Sequence, residues 1–141
     1  MEGRRLYVLT AVQIAAAGAL LYFVFSRPGP WDWQQSIGAV LVVAGILGIA
    51  TARVQLGKSF AIKPEARQLV THGIYSKIRN PIYVFGAILI AGFALVVRRQ
   101  SVWVFLLVVI LMQMVRAGRE SRVLESAFGD AYREYRRKTW F

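Results

Sequence analysis

Four long stretches contain no Asp, Glu, Lys or Arg: residues 6–25, 33–52, 81–97 and 100–115. Within 141 residues they dominate what the chain can become. A helix rises about 1.5 Å per residue and bilayer hydrocarbon is about 30 Å thick, so about twenty apolar residues span it. The first two stretches reach that length. The last two fall a little short and are separated only by Arg98 and Arg99. They predict a tight helical hairpin that is tilted, sits in a thinned bilayer or does not fully cross. The expected fold is an all-α, polytopic integral membrane protein. It has about four membrane helices, a helical tail after them, and a single domain over residues 1–141.

Charge supports this reading and excludes others. Hydrophobic residues make up 57% of the chain and charged residues 18%, yet the net charge is +11. A nucleic-acid module would carry such charge on a mostly polar surface, so no nucleic-acid partner is expected. The chain has no cysteine and one histidine, which argues against thiolate chemistry and an imidazole-rich metal site. Arg4 and Arg5 precede the first stretch as in a signal peptide. The apolar run is long for a signal core, however, and residues 26–30 (SRPGP) lack small residues at cleavage spacing, so a retained helix is expected. The segment 53–80 holds six basic residues against one acid, and the tail from Arg116 seven against four. With four spans these lie on one side, expected to be the cytoplasm of a bacterial or archaeal inner membrane, with both termini and any active site there. Arg98 and Arg99 then lie opposite, weakly against the positive-inside trend. Trp31, Trp33, Trp140 and Phe141 read as interfacial anchors, and Gly38, Gly45 and Gly48 as a small-residue stripe for close helix packing, within the chain in preference to between chains.

Chemistry should reside in the two polar pieces. In the central one, Gly73 follows His72 at a turn and suits positive φ. Asn80-Pro81 is a helix start: Asn can cap, Pro suits the first turn, and the free N–H groups suit an anion, although the dipeptide by itself reads as a plain helix entry. In the tail, Arg116 and Glu120 share a helix face just past the last apolar stretch. Leu124, Phe128, Tyr132 and Tyr135 continue an apolar stripe interrupted at Gly129. Asp130 is placed to cap a short final helix, and the run Arg136, Arg137, Lys138 suits anionic lipid head groups.

Five motifs stand in register: LVTHGIY at 69–75, RNPIY at 79–83, a hairpin, Arg116 with Glu120, and LESAFGDAYREY at 124–135. Together, over residues 53–138, they resemble the isoprenylcysteine carboxyl methyltransferase family and the small membrane methyltransferases around it. The resemblance implies S-adenosylmethionine as cofactor. It implies that Arg67, Gln68, Leu69 and Val70 hold the nucleoside, and that Gly73 and Tyr75 belong to the cofactor site. Asn80, Pro81, Ile82 and Tyr83 match the cofactor-binding quartet. Glu120 matches the cofactor-binding carboxylate, and Arg116 the catalytic arginine facing the acceptor substrate. Asn80 stands where the isoprenylcysteine enzymes usually carry His, and Ser121 where the family often has a second Glu.

The implied function is methyl transfer to an amphipathic, lipid-like or prenylated acceptor drawn from the bilayer, as in isoprenylcysteine O-methylation. An ionised carboxylate acceptor needs no general base, so the lack of a site histidine or cysteine is no obstacle. Two other readings stand beside it. One is a nicotinamide-dependent lipid or sterol reductase, since such enzymes resemble the family in the carboxy-terminal hairpin. The other is a non-catalytic membrane scaffold, against which the motifs are more specific than anchoring requires.

Overall fold

The computed structural model describes residues 2–57 and 69–141, with side chains from Tyr7 onward. Among the described residues it is all-helical: α1 (Glu2–Phe25), α2 (Trp33–Leu56), α3 (Pro81–Val97), α4 (Gln100–Phe128) and α5 (Asp130–Lys138). A short 3-10 turn, Gly73–Ser76, precedes α3. Helices α1, α2 and α4 are long and apolar enough to cross a membrane, while α3 is a shorter apolar helix of 17 residues. The architecture is that of a polytopic all-α membrane protein.

The expected hairpin is α3 with α4, and the helical face expected beyond Arg116 is the continuation of α4. α3 ends where its apolar stretch ends, but α4 runs on for 29 residues to Phe128. Charge begins at Arg116 without stopping the helix, because Arg, Glu, Leu and Ala are good helix formers and the lone Gly118 costs only about 1 kcal/mol. At about 1.5 Å per residue, α4 is longer than the hydrocarbon is thick, so its last turns stand outside it.

The bundle is organised around the antiparallel pair α2 and α3. Lipid offers no hydrophobic drive for helices to associate, so they hold by close van der Waals contact through small residues. A Cβ added at Gly38 would lie 2.7 Å from the Gly92 carbonyl oxygen, and one at Gly92 would lie 2.6 Å from that of Gly38. Gly45 faces the Leu89 backbone and Gly48 the ring of Phe85. The glycine stripe thus packs within the chain. α1 joins through its last turns, where Leu20, Leu21 and Val24 meet Ala39, Val42 and Val96.

Asp32 caps α2, accepting the Gln35 N–H at 2.9 Å, while the Gln35 side chain accepts the Asp32 N–H, which completes a capping box. Arg98 ends α3 in the left-handed conformation (φ 58°), and its guanidinium forms an ion pair with Asp32. One of the two cations opposite the polar pieces is thereby matched by an acid.

At the other end Gly129 (φ 54°) ends α4 and reverses the chain into α5. Tyr132 and Tyr135 are the buried residues of α5. Asp130 lies in the first turn and makes no side-chain cap, contrary to expectation: the cap position belongs to Gly129, one residue earlier.

Candidate active site

Three elements converge at the polar end of the bundle. The 3-10 turn begins at Gly73, whose φ of 60° is the left-handed value its lack of a side chain permits. The side-chain amide of Gln55, near the end of α2, lies where a Gly73 Cβ would be, and its Oε1 accepts the Ile74 N–H at 2.8 Å. His72 is exposed at the turn's start, and its carbonyl accepts the Tyr75 N–H at 3.1 Å. Tyr75 is 6% exposed and packs with Ala52, Val70, Leu56 and Ile82. Burial pushes its hydroxyl pKa well above the ordinary tyrosine value, and the charges of Tyr135 and Glu120 push it further.

Tyr83 comes one turn into α3, and Arg116 and Glu120 stand on α4. The Tyr83 hydroxyl donates to Glu120 Oε1 at 2.6 Å, and Arg116 Nε donates to the same oxygen at 3.1 Å. The Arg116 guanidinium lies 5.9 Å from the Tyr83 ring centroid, within cation–π range. Glu120 is sheltered, with 27% of its side chain exposed, whereas Arg116 is 54% exposed and faces outward. Residues separated by 37 positions are thus joined in one polar cluster where the apolar helices end.

The start of α3 differs from the sequence reading. Asn80 occupies the cap position and Pro81 follows in the first turn, but the Asn80 side chain makes no capping bond. Nor is the helix end open. The Asn80 N–H donates to the Phe141 carbonyl at 2.8 Å, the Arg79 N–H to that of Trp140 at 2.9 Å, and the Trp140 N–H to that of Lys77 at 2.7 Å. These bonds form a short strap in which Trp140 bridges Ile78 in parallel. The Tyr83 N–H turns back to the Asn80 carbonyl, and Pro81 has no N–H, so of the first donors only that of Ile82 makes no main-chain bond among the described residues. An anion would meet side chains here more than a bare helix terminus.

Two such side chains are available. Arg79 Nε is buried with no hydrogen-bond partner among the described residues, and the Asn80 amide is half-buried without a capping bond. A buried donor left unpaired costs about 1–3 kcal/mol, so an acceptor that reaches Arg79 would recover that cost. The sequence reading passed over Arg79 although it is the first residue of RNPIY. It also passed over Gln55, which no motif marked.

The remaining expected residues fall in different places. Leu69 is half-buried, and Val70 and Ile82 belong to the apolar cluster around Tyr75. The Pro81 side chain is wholly buried, so its contribution is to backbone geometry. Arg67 and Gln68 lie outside the described residues. In the tail, the Tyr135 hydroxyl donates to the Tyr75 carbonyl at 2.7 Å, and the Tyr132 hydroxyl to Ser121 Oγ at 2.9 Å. Ser121, adjacent to Glu120, thus anchors α5.

Among known proteins, the phospholipid methyltransferase family matches residues 33–131, from the first residue of α2 to the second of α5. No curated protein and no solved structure matches the chain. The matched region contains both partners of the α2–α3 core and every residue of the Tyr83–Glu120–Arg116 cluster. This chain therefore belongs to the phospholipid methyltransferase family of membrane proteins, which includes the isoprenylcysteine-type methyltransferases.

Proposed function

We propose that the protein transfers a methyl group from S-adenosylmethionine to an amphipathic, lipid-like acceptor, and that the accepting atom is a carboxylate oxygen, as in isoprenylcysteine O-methylation. The observation that carries this reading is the Tyr83–Glu120–Arg116 cluster, where apolar helices give way to a basic polar surface. Bound S-adenosylmethionine supplies an electrophilic sulfonium methyl on a zwitterionic amino-acid end joined to a nucleoside. The groups present suit that end. Glu120 suits its ammonium by a charge-assisted bond, and Arg79 with Asn80 suits its carboxylate. Val70, Tyr75 and Ile82 pack in one apolar cluster next to the start of α3, and the resemblance assigns Arg67, Gln68, Leu69 and Val70 to the nucleoside and Gly73 to the same cofactor site.

A carboxylate nucleophile is already ionised, so the residues need only align the reactants and keep water out. Arg116 is the candidate catalytic residue. Its planar fork suits a carboxylate, it is open to the outside, and Tyr83 and Glu120 fix its base. The acceptor's apolar body would stay in lipid, and the basic polar pieces favour a cytoplasmic site.

The family's description supports a second reading, in which the acceptor is a phospholipid head group. Arg116 suits a head-group phosphate equally well. An amine nucleophile would also need a base to take its proton. The family assignment favours either methyl-transfer reading over a nicotinamide-dependent reductase or a scaffold.

Calorimetric titration with S-adenosylmethionine and its demethylated product tests the donor. Binding should be lost in Glu120→Ala and kept in Arg116→Ala, which should instead lose turnover. Affinity unchanged in Glu120→Ala would overturn the assignment. Radiolabelled methyl transfer to prenylated cysteine analogues and to phospholipids separates the two acceptors.

A further inference from the structure

The tail's last residues return to the depth at which α3 begins. Pro81 opens an apolar helix of 17 residues, so residues 77–80 sit at the edge of the hydrocarbon. Trp140 and Phe141 bond to the backbone of these residues, which places the last turn of α5 at the same level. Trp140 is 66% exposed there, and tryptophan favours the membrane interface. Arg136, Arg137 and Lys138 fill that last turn, and exposed Lys77 lies across the strap. Some cations of the tail are already matched by acids: Arg133 pairs with Glu125 and Asp130, and Lys138 with Glu134. Among the described residues, Lys77, Arg136 and Arg137 form no ion pair.

We infer that Lys77, Arg136, Arg137 and Trp140 form a docking surface for anionic phospholipid head groups of the adjoining leaflet, and that lipid held there fastens the strap onto residues 77–80. Lys77 belongs to one segment of the strap, and Arg136 and Arg137 stand in the turn that leads into the other, so head groups held by both draw the two segments together. The strap fixes the start of α3, one turn before Tyr83, and so bears on the polar cluster. The consequence for turnover rests on the methyltransferase reading. Lipid docking does not.

The full chain reconstituted in nanodiscs tests this without donor or acceptor. One set of discs is phosphatidylcholine alone, and the other contains one-third phosphatidylglycerol. Amide hydrogen exchange at 77–80 and 139–141 should be slower in the anionic discs, by up to about fivefold for each engaged cation. High salt should erase the difference. The R136Q/R137Q double variant should lose it while α2 and α3 stay protected as in the parent, and K77Q should reduce it. Equal exchange in the two discs, a difference insensitive to salt, or one that survives in R136Q/R137Q would overturn the inference. If R136Q/R137Q does not fold, the salt dependence and K77Q decide. None of these results bears on whether S-adenosylmethionine binds.

Discussion

The α2–α3 contact makes a demand that one methyl group can test. In Gly45→Ala the new Cβ would lie 2.6 Å from the Leu89 Cβ and 2.8 Å from its Cα and N. Carbon atoms pack at about 3.5–4.0 Å, so the helices must separate by about 1 Å. No rotamer change relieves the clash, because the obstruction is backbone and Cβ. Overpacking of this kind costs about 1–3 kcal/mol, and the better helix propensity of Ala returns up to about 1 kcal/mol. With the full propensity gain the net is a loss of up to roughly 2 kcal/mol. Gly18→Ala is the control. It makes the same chemical change on α1 where a Cβ meets nothing within 4 Å, so only the propensity gain applies. Thermal unfolding in one detergent, followed by helical circular dichroism, should show Gly45→Ala below the parent and Gly18→Ala at or above it. Equal shifts for both variants would refute the packing argument.

Other expectations concern the polar end and the far turn. Tyr83→Phe removes the 2.6 Å bond to Glu120. Hydrogen bonds to charged groups are worth about 1.5–3 kcal/mol, so donor affinity measured by calorimetry should fall roughly ten- to a hundredfold. Unchanged affinity would detach Tyr83 from the site. Burial, helped by Tyr132, pushes the Tyr135 hydroxyl up to about 12. A raised folded-state value means its stabilisation is complete below the unfolded value of about 10 and is lost as pH rises through about 12. Stability should therefore fall with pH across that window, and Tyr135→Phe, which lacks the bond to Tyr75, should remove that part of the dependence. An identical alkaline profile in the variant would contradict this. Asp32 and Arg98 are each nearly half exposed, so a double-mutant cycle by thermal unfolding should give a coupling below about 1 kcal/mol. Asp32→Ala should cost about 1 kcal/mol more through the lost cap. A coupling of several kcal/mol would mean the turn is far drier than its exposure implies.

Much of the fold is local and was legible as such. Apolar run length determined where three of the helices had to lie, because lipid demands internally satisfied backbone over a fixed thickness. Asn80-Pro81 marked the start of α3, Gly73 took the positive φ its turn suggested, and the break in the apolar stripe at Gly129 is where α4 ends. The Arg116–Glu120 contact also follows from helix periodicity. The end of α4 was marked by Gly129 and not by charge, since charged residues continue a helix readily once it leaves the bilayer.

What only the tertiary structure decided lies between segments far apart in the chain. Tyr83 meets Glu120 because α3 and α4 are antiparallel neighbours, and Tyr135 meets the Tyr75 carbonyl because Gly129 folds α5 back. The α3 N-terminus looked like an open anion site, yet Phe141 covers the Asn80 N–H, and the unpaired donor lies on Arg79 instead. Sequence spacing governs contacts within one helix, where geometry is fixed by hydrogen bonds four residues apart. Contacts between helices depend on which small residues allow close approach and on where the chain turns, and those become definite only when the helices pack.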